Sequence, residues 1–388
     1  MPTRSRILSA RSHNRSRMIH SVEELTDLAG VRVLVRAALN VPIENGRVTD
    51  TLRVDLAMKT VSYLLARNAR VILMSHLSDS KASLAPVYDY LRTKIPVTLV
   101  SDVAGVNAHA AATALKDGQA LLLENLRWNA GEKANDEQFA RELASLGDVY
   151  IADDFTVLHR MHAAVVGVPK FLPSYAGFQL LAEFHGLVPA LSPESPSIAI
   201  VGGAKLVTKL ALIKSLLAKY DRVFVGGALA NDFFAAKGYD IGKSLVSGGP
   251  EAGELLSEPK IILPETVTVS NAAGRDDVAA DAVGPEDVIS DIAPASIQEL
   301  KPVIDSAHMV LWNGPMGHFE TGFTEGTDEL AKLIAQAPGK SVVGGGDTLS
   351  SIHNLGLFDK FTFVSTAGGA MLDFLATGTL PGLQALER

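Results

Sequence analysis

"KSVVGGGDTLSSIHNLG", residues 340–356, joins a short apolar run to three glycines, an aspartate, a threonine and then a stretch with helical spacing. A strand that feeds glycines into a helix start leaves backbone N–H groups at the positive end of a helix dipole, a setting suited to an anion. The same residues also fit a tight strand-to-helix turn with Asp347 as its N-cap. Both readings stand on this stretch alone, because glycine-rich turns are common. Either way the local unit is strand, turn, helix, and that unit recurs along the chain.

Going back toward the N-terminus, "VRVLVRAAL" (31–39), "ARVILMSHL" (69–77), "VTLVSDV" (97–103), "ALLLENL" (120–126) and "DVYIADDF" (148–155) read as buried strands. "TLRVDLAMKTVSYLLARN" (51–68) and "DEQFARELASLG" (136–147) carry apolar residues at helical spacing. After Pro189, Pro193 and Pro196, which are expected to end a helix and open a linker, the pattern resumes. Its strands are "SIAIVGG" (197–203), "RVFVGGA" (222–228), "KIILPETVTV" (260–269), "MVLWNGPMG" (309–317) and "SVVGGG" (341–346). Continuous apolar strands alternating with helices predict parallel sheets covered on both faces. The fold class is therefore α/β, with two doubly wound, Rossmann-like domains meeting near residue 190. In such sheets ligands sit at the carboxyl ends of the strands.

The composition agrees. The 388 residues exceed what one core usually supports, and 47 % are apolar. A net charge of −8 argues against nucleic acid or anionic membrane as partners. The absence of cysteine excludes disulfides, thiolate chemistry and Cys-type zinc sites. No apolar run approaches the roughly 20 residues that span a bilayer. Residues 1–17 stand apart, with Arg4, Arg6, Arg11, Arg15 and Arg17 and no acid before Glu23. Such a segment reads either as a transit peptide or as a disordered extension ahead of a true start at Met18.

Glycines follow nearly every strand of the second half: Gly202 and Gly203, Gly226 and Gly227, Gly314, Gly317, Gly344 to Gly346, and Gly368 with Gly369. Repeated at one end of a sheet, they suggest a surface built for close backbone approach. Lys205 and Lys209, one helical turn apart in "GGAKLVTK", can reach phosphates from one face or simply solvate a helix start. "GYDIGKS" (238–244) lacks the spacing and the preceding strand of a P-loop, and "HRMH" (159–162) lacks further metal ligands.

Several stretches together carry a resemblance: "LNVPIENGRVTDTLR", "VILMSHL", "LLLENLRWNAGEKANDEQFARELASL", "AIVGGAKLVTKLALI", "VGGALANDFFAAKGYDIGKSL", "LWNGPMGHFETGFTEGT", "VVGGGDT" and "LPGLQAL". From Met18 onward the chain resembles the phosphoglycerate kinase family of the bacterial type. The resemblance implies a glycerate-binding domain over 18–185, a hinge over 186–196 and a nucleotide-binding domain over 197–370. It also implies a C-terminal segment, 371–388, packing back on the first domain, and a cytoplasmic monomer. The implied co-substrates are ATP or ADP with Mg²⁺, and 3-phosphoglycerate.

By the same resemblance, Gly345, Gly346, Asp347 and Thr348 lie at the nucleotide phosphates, with Asp347 directed to Mg²⁺. Lys205 and Lys209 contact phosphate, Gly226 and Gly227 border the adenine pocket, Asn313 lies on the phosphate side, and Glu320 meets the ribose. Arg53, with Lys205, Lys209, Gly368 and Gly369, serves the transferring group. Asn40, Arg53, His76, Arg127, His159 and Arg160 form the glycerate pocket, which also includes positions 38 and 79.

The chain departs from the family at those two positions and at others nearby. The family pattern Arg-x-Asp-[Phe/Leu]-Asn reads "RAALN" here, with Ala38 for the aspartate. "SHLGRP" becomes "SHLSDS", with Asp79 for an arginine, and "DAFGTAHR" becomes "DDFTVLHR", bringing in Asp154, Thr156, Val157 and Leu158. Ala367 replaces a third glycine in "STAGGA". Two expectations follow: an active kinase that tolerates these changes, or a divergent, regulatory paralogue that binds nucleotide with weak or lost glycerate turnover.

Overall fold

The computed structural model describes residues 19–387, so the reading of residues 1–17 lies outside the described part. The chain divides into two compact units. The first ends at Phe184 and regains the chain at Thr379; the second runs from His185 to Gly378.

The first unit is built on a six-stranded sheet. Its strands are β1 (Arg32–Ala37), β2 (Arg70–Met74), β3 (Val97–Leu99), β4 (Ala120–Leu122), β5 (Val149–Asp153) and β6 (Ser174–Ala176). The spatial order is β3-β4-β2-β1-β5-β6. Every pairing is parallel. Helix α1 (Leu52–Leu65) turns Val54, Ala57, Val61 and Leu64 inward, and the N–H of Leu52 donates to Asp50 Oδ1 at its start. Helix α2 (Glu137–Ser145) begins where Asp136 Oδ1 accepts from the Phe139 N–H, and it buries Phe139, Ala140 and Leu143. Val33, Val35, Leu73 and Leu122 form the centre of this core.

The second unit repeats the plan with β7 (Ser197–Val201), β8 (Arg222–Val225), β9 (Ile261–Ile262), β13 (Met309–Asn313), β14 (Lys340–Gly344) and β15 (Phe363–Ser365). Their order is β9-β8-β7-β13-β14-β15, again parallel throughout. Its core centres on Trp312, Phe224, Ile200 and Ile334. Between β9 and β13 the chain forms a separate antiparallel sheet of β10 (Thr266–Asn271), β11 (Gly274–Ala279) and β12 (Val288–Ile292).

Three expectations need correction. "KIILPETVTV" is two strands in two sheets, because Pro264 has no N–H to carry a ladder from β9 into β10. Pro189 does not end its helix: α3 runs Phe178–Leu191 with Pro189 inside it, and the change of unit falls within that helix. The chain leaves the second unit after Gly378 rather than at 370. Helix α6 (Gly369–Thr377) packs on α4 (Leu206–Lys219), and only α7 (Pro381–Leu386) belongs to the first unit.

In each sheet the strand order reverses beside the unit's first strand. The carboxyl ends of β1 and β5 flank one reversal, and those of β7 and β13 flank the other. At the first lies Asp153, whose Oδ1 accepts from the Gln179 N–H at the start of α3. Burial pushes its carboxyl from the ordinary 3.8 up to about 7. Between those values the folded chain holds a proton that the unfolded chain has lost, so this group opposes folding progressively as the pH rises from about 4 to 7. Asp153→Asn should therefore shrink the fall in unfolding free energy between pH 5 and pH 8 by roughly 2 kcal/mol. Urea unfolding at the two pH values measures it; an unchanged difference would show that Asp153 ionises freely.

Candidate active-site residues

The two reversals gather most of the polar residues singled out in the sequence. In the second unit the turns after β7, β8 and β13 lock together. The Gly202 N–H donates to Asn313 O at 2.9 Å, the Gly203 N–H to Pro315 O at 3.1 Å, and the Leu229 N–H to Gly203 O at 3.0 Å. Gly226 and Gly227 are buried in this contact. A Cβ on Gly226 would meet Met316 Sδ at 2.6 Å. One on Gly227, whose φ is +61°, would meet Gly203 N and Pro315 O at 2.8 Å. Loop packing thus accounts for their being glycine.

Lys209, from the first turns of α4, reaches into this junction. Its Nζ donates to Gly202 O at 2.5 Å and to Asn313 Oδ1 at 3.1 Å. Among the described residues it forms no ion pair, and burial lowers its pKa from 10.5 to about 8. Lys205 is exposed at the N-cap of α4.

The glycine turn of residues 344–346 opens helix α5 (Gly346–Asn354). Its N-cap is Gly345, at φ +113°, and not Asp347, which corrects the capping alternative. A Cβ on Gly345 would lie 3.3 Å from both Gly314 N and Thr348 Oγ1 and 3.6 Å from Asn313 Nδ2. Asp347 is exposed in the first turn, whereas Thr348 is fully buried and its Oγ1 has no hydrogen-bond partner among the described residues.

At the neighbouring turn Gly368 has φ +54° and caps α6, with Gly369 exposed beside it. Ala367, just before that turn, is 2 % exposed and its N–H donates to Ser365 Oγ. Glu320 is exposed in the short turn Phe319–Thr321, with no contact to these groups among the described bonds.

In the first unit the expected residues fall into small hydrogen-bonded groups. Arg53 Nη1 donates to Asn40 O at 3.1 Å. Asn40 Oδ1 accepts from the Ser78 N–H at 2.9 Å. Arg127 Nη1 donates to Leu77 O at 3.0 Å and Ser78 O at 2.9 Å. Arg160 Nε donates to His159 Nε2 at 3.3 Å. His76 is buried, and burial together with the charges of Arg36, Arg127 and Arg160 holds it neutral, far below the ordinary histidine range. Asp79 is exposed and its Oδ1 accepts from the Lys81 N–H at 2.8 Å, so the carboxylate serves its own loop. His162 is also pushed down, to about 4, by burial and the surrounding cations. Among the described residues no group of three or more His, Asp or Glu side chains is placed to hold a metal ion.

Arg36 is the member that the sequence reading missed. It lies next to the last residue of β1, paired with Asp154 and His76. Its charge is buried in a strand whose other residues after Arg32 are apolar, and its partner follows β5, so only the alignment of β1 with β5 reveals it.

Two doubly wound units, one with a lysine- and glycine-lined strand-order reversal and the other with an arginine-rich one, define an α/β protein equipped for phosphate-bearing anions. The family model described as "Phosphoglycerate kinase" matches residues 22–378. A phosphoglycerate kinase of Roseiflexus sp. (strain RS-1) is 42% identical over 384 residues, 93% of this chain and 97% of its own length. That of Moorella thermoacetica is 43% identical over 381 residues, with the same coverage of 93% and 97%. Among solved structures, phosphoglycerate kinase from Coxiella burnetii superposes with a TM-score of 0.83 at 34% identity, covering 95% of this chain and 99% of that one. The chain belongs to the phosphoglycerate kinase family, and it is a kinase.

The buried, unpartnered hydroxyl of Thr348 yields a test that separates ligand binding from stability. Thr348→Val keeps the shape and removes a polar group with no partner in the ligand-free chain. Stability should hold or rise by about 1 kcal/mol, while affinity for Mg²⁺-ATP falls at least threefold by calorimetry. A destabilised variant with unchanged affinity would show that the hydroxyl is structural.

Proposed function

We propose that the chain catalyses reversible phosphoryl transfer between ATP and the carboxylate of 3-phosphoglycerate, giving ADP and 1,3-bisphosphoglycerate. The observation that carries the nucleotide half is Lys209. A half-buried ammonium held only by a carbonyl and an amide oxygen, with a depressed pKa, is a cation completed by an anionic ligand. The attacking oxygen belongs to a carboxylate that is already ionised at neutral pH, so the step needs no general base. In the forward direction this oxygen bonds to the γ-phosphorus, the bond to the β,γ-bridging oxygen breaks, and the electron pair leaves on ADP. The work left to the protein is positioning and charge neutralisation.

Arg53, Arg127 and Arg160, with Asn40, His76 and His159, hold the acid and its phosphate. Lys205 and Lys209, with the turns at Gly345–Thr348 and Gly368–Gly369, hold the nucleotide phosphates. Gly226, Gly227 and Asn313 shape that pocket, and Glu320 meets the ribose. A lone exposed carboxylate at Asp347 suits Mg²⁺, which commonly takes one or two protein oxygens and completes its shell with phosphate and water. When bound there, the ion would offset charge on the nucleotide phosphates. The enzyme acts as a monomer in the cytoplasm. The alternative of a nucleotide-binding paralogue without glycerate turnover has no observation in its favour.

A coupled assay with 3-phosphoglycerate and Mg²⁺-ATP should give turnover that Asp347→Ala reduces at least tenfold while raising the Mg²⁺ requirement. Wild-type nucleotide binding without turnover would overturn the proposal. Lys209 adds a pH signature. Its pKa is depressed in the free site, and an anion favours the charged form, so binding takes up a proton near pH 8. Affinity should weaken about tenfold from pH 7 to pH 9. Calorimetry in buffers of different ionisation enthalpy would show the uptake, and Lys209→Gln should abolish it.

A further inference from the structure

Arg36 is 1 % exposed and fully engaged on its terminal nitrogens. Nη1 donates to Asp154 Oδ2 at 3.0 Å and to Ala37 O at 2.9 Å, and Nη2 meets His76 Nδ1 at 2.7 Å. A guanidinium can only donate, so His76 Nδ1 is the acceptor and the ring carries its proton on Nε2. Asp154, also 1 % exposed, accepts with its other oxygen from the Thr156 N–H at 3.1 Å and from Thr156 Oγ1 at 2.5 Å. Both charges of this pair are therefore buried, opposed and hydrogen-bonded, the condition under which a buried ion pair holds one geometry.

The register of β1 on β5 pairs Arg36 with Ala152 and ends with Ala37 on Asp153, so Asp154 follows directly at the strand-order reversal. The family pattern expects aspartate at 38 and alanine at 154. This chain has alanine at 38 and aspartate at 154. One carboxylate is present in either arrangement, on the neighbouring strand.

We infer that Asp154 is a positioning residue for the acid-binding half-site: its carboxylate neutralises Arg36, and through Arg36 it fixes His76 as a neutral Nε2–H donor. The consequence is a charge match. With Arg36 cancelled by Asp154, the guanidiniums of Arg53, Arg127 and Arg160 remain. A phosphate monoester of about −1.5 to −2 together with one carboxylate presents a closely matching anion. Asp79, exposed to solvent, subtracts less than its formal charge implies.

This inference rests on the proposed reaction, and the test separates the two. The ¹⁵N shifts of the His76 imidazole need no substrate and should report the Nε2–H form in the intact wild-type chain. Asp154→Ala should disturb those shifts and raise KM for 3-phosphoglycerate at least tenfold, leaving KM for ATP within twofold. Where Asp154→Ala does not fold, Asp154→Asn keeps the volume and one acceptor and carries the same readouts.

Unchanged His76 shifts and an unchanged KM for 3-phosphoglycerate in a folded Asp154 variant would overturn the inference. A wild-type chain without turnover of 3-phosphoglycerate would instead overturn the reaction. The His76 spectrum would then still decide whether Asp154 sets the tautomer.

Discussion

A parallel sheet can grow in both directions from its first strand only if the chain changes face, because each crossover must be right-handed. That constraint opens a gap at the carboxyl ends of the two strands where the order reverses, and both units of this chain are organised around it. In the second unit the gap lies between β7 and β13. The turns there approach so closely that Gly227 sits in a left-handed conformation with no room for a Cβ. The same closeness places a carbonyl and an amide oxygen on Lys209 in a partly dry setting. In the first unit the gap lies between β1 and β5, and it brings together Arg36 and Asp154, 118 positions apart in sequence.

How much of this the sequence discloses follows from what each element buries. Strands covered on both faces read as continuous apolar runs, so nine of the ten expected strands were legible to within a few residues, whereas the three-residue edge strands β6 and β15 were not read. Their ends were not, because a run such as "ALLLENL" stays apolar where the ladder has already stopped at Leu122. The antiparallel sheet was illegible for the opposite reason. Strand β11, "GRDDVA", is almost wholly exposed and carries no apolar signal. Pro189 misled because a proline inside a helix forfeits one bond to the preceding turn and can be carried without ending the helix.

For the site, lysines and glycines at strand ends were readable as candidates one by one. Whether a glycine faces a ligand or merely another loop was not readable, and Gly226 and Gly227 turned out to be packed. Arg36 could not be found locally at all. An arginine inside "VRVLVRAAL" looks like an interruption of a strand, and its partner lies at the end of another.

The departures at positions 38, 79 and 154 show why substitutions at a charged site cannot be scored position by position. Taken singly, Ala38 is a lost carboxylate, Asp79 a reversed charge and Asp154 an intruding acid, and their sum suggests a damaged pocket. Two unit charges at about 4 Å interact with roughly 4 kcal/mol at an effective dielectric near 20, and with about a quarter of that in water. Weight therefore goes to the buried charges. Asp154 is almost completely enclosed and acts on Arg36 at 3.0 Å. Asp79 is exposed and occupied by its own loop. Counted this way, Asp154 is no intruder: its charge is spent on the buried guanidinium of Arg36. The change at 79 is left as a screened perturbation at the rim. The quantity conserved in the pocket is the net field of its buried groups rather than the identity of any one of them, and that field still favours a small phosphorylated acid.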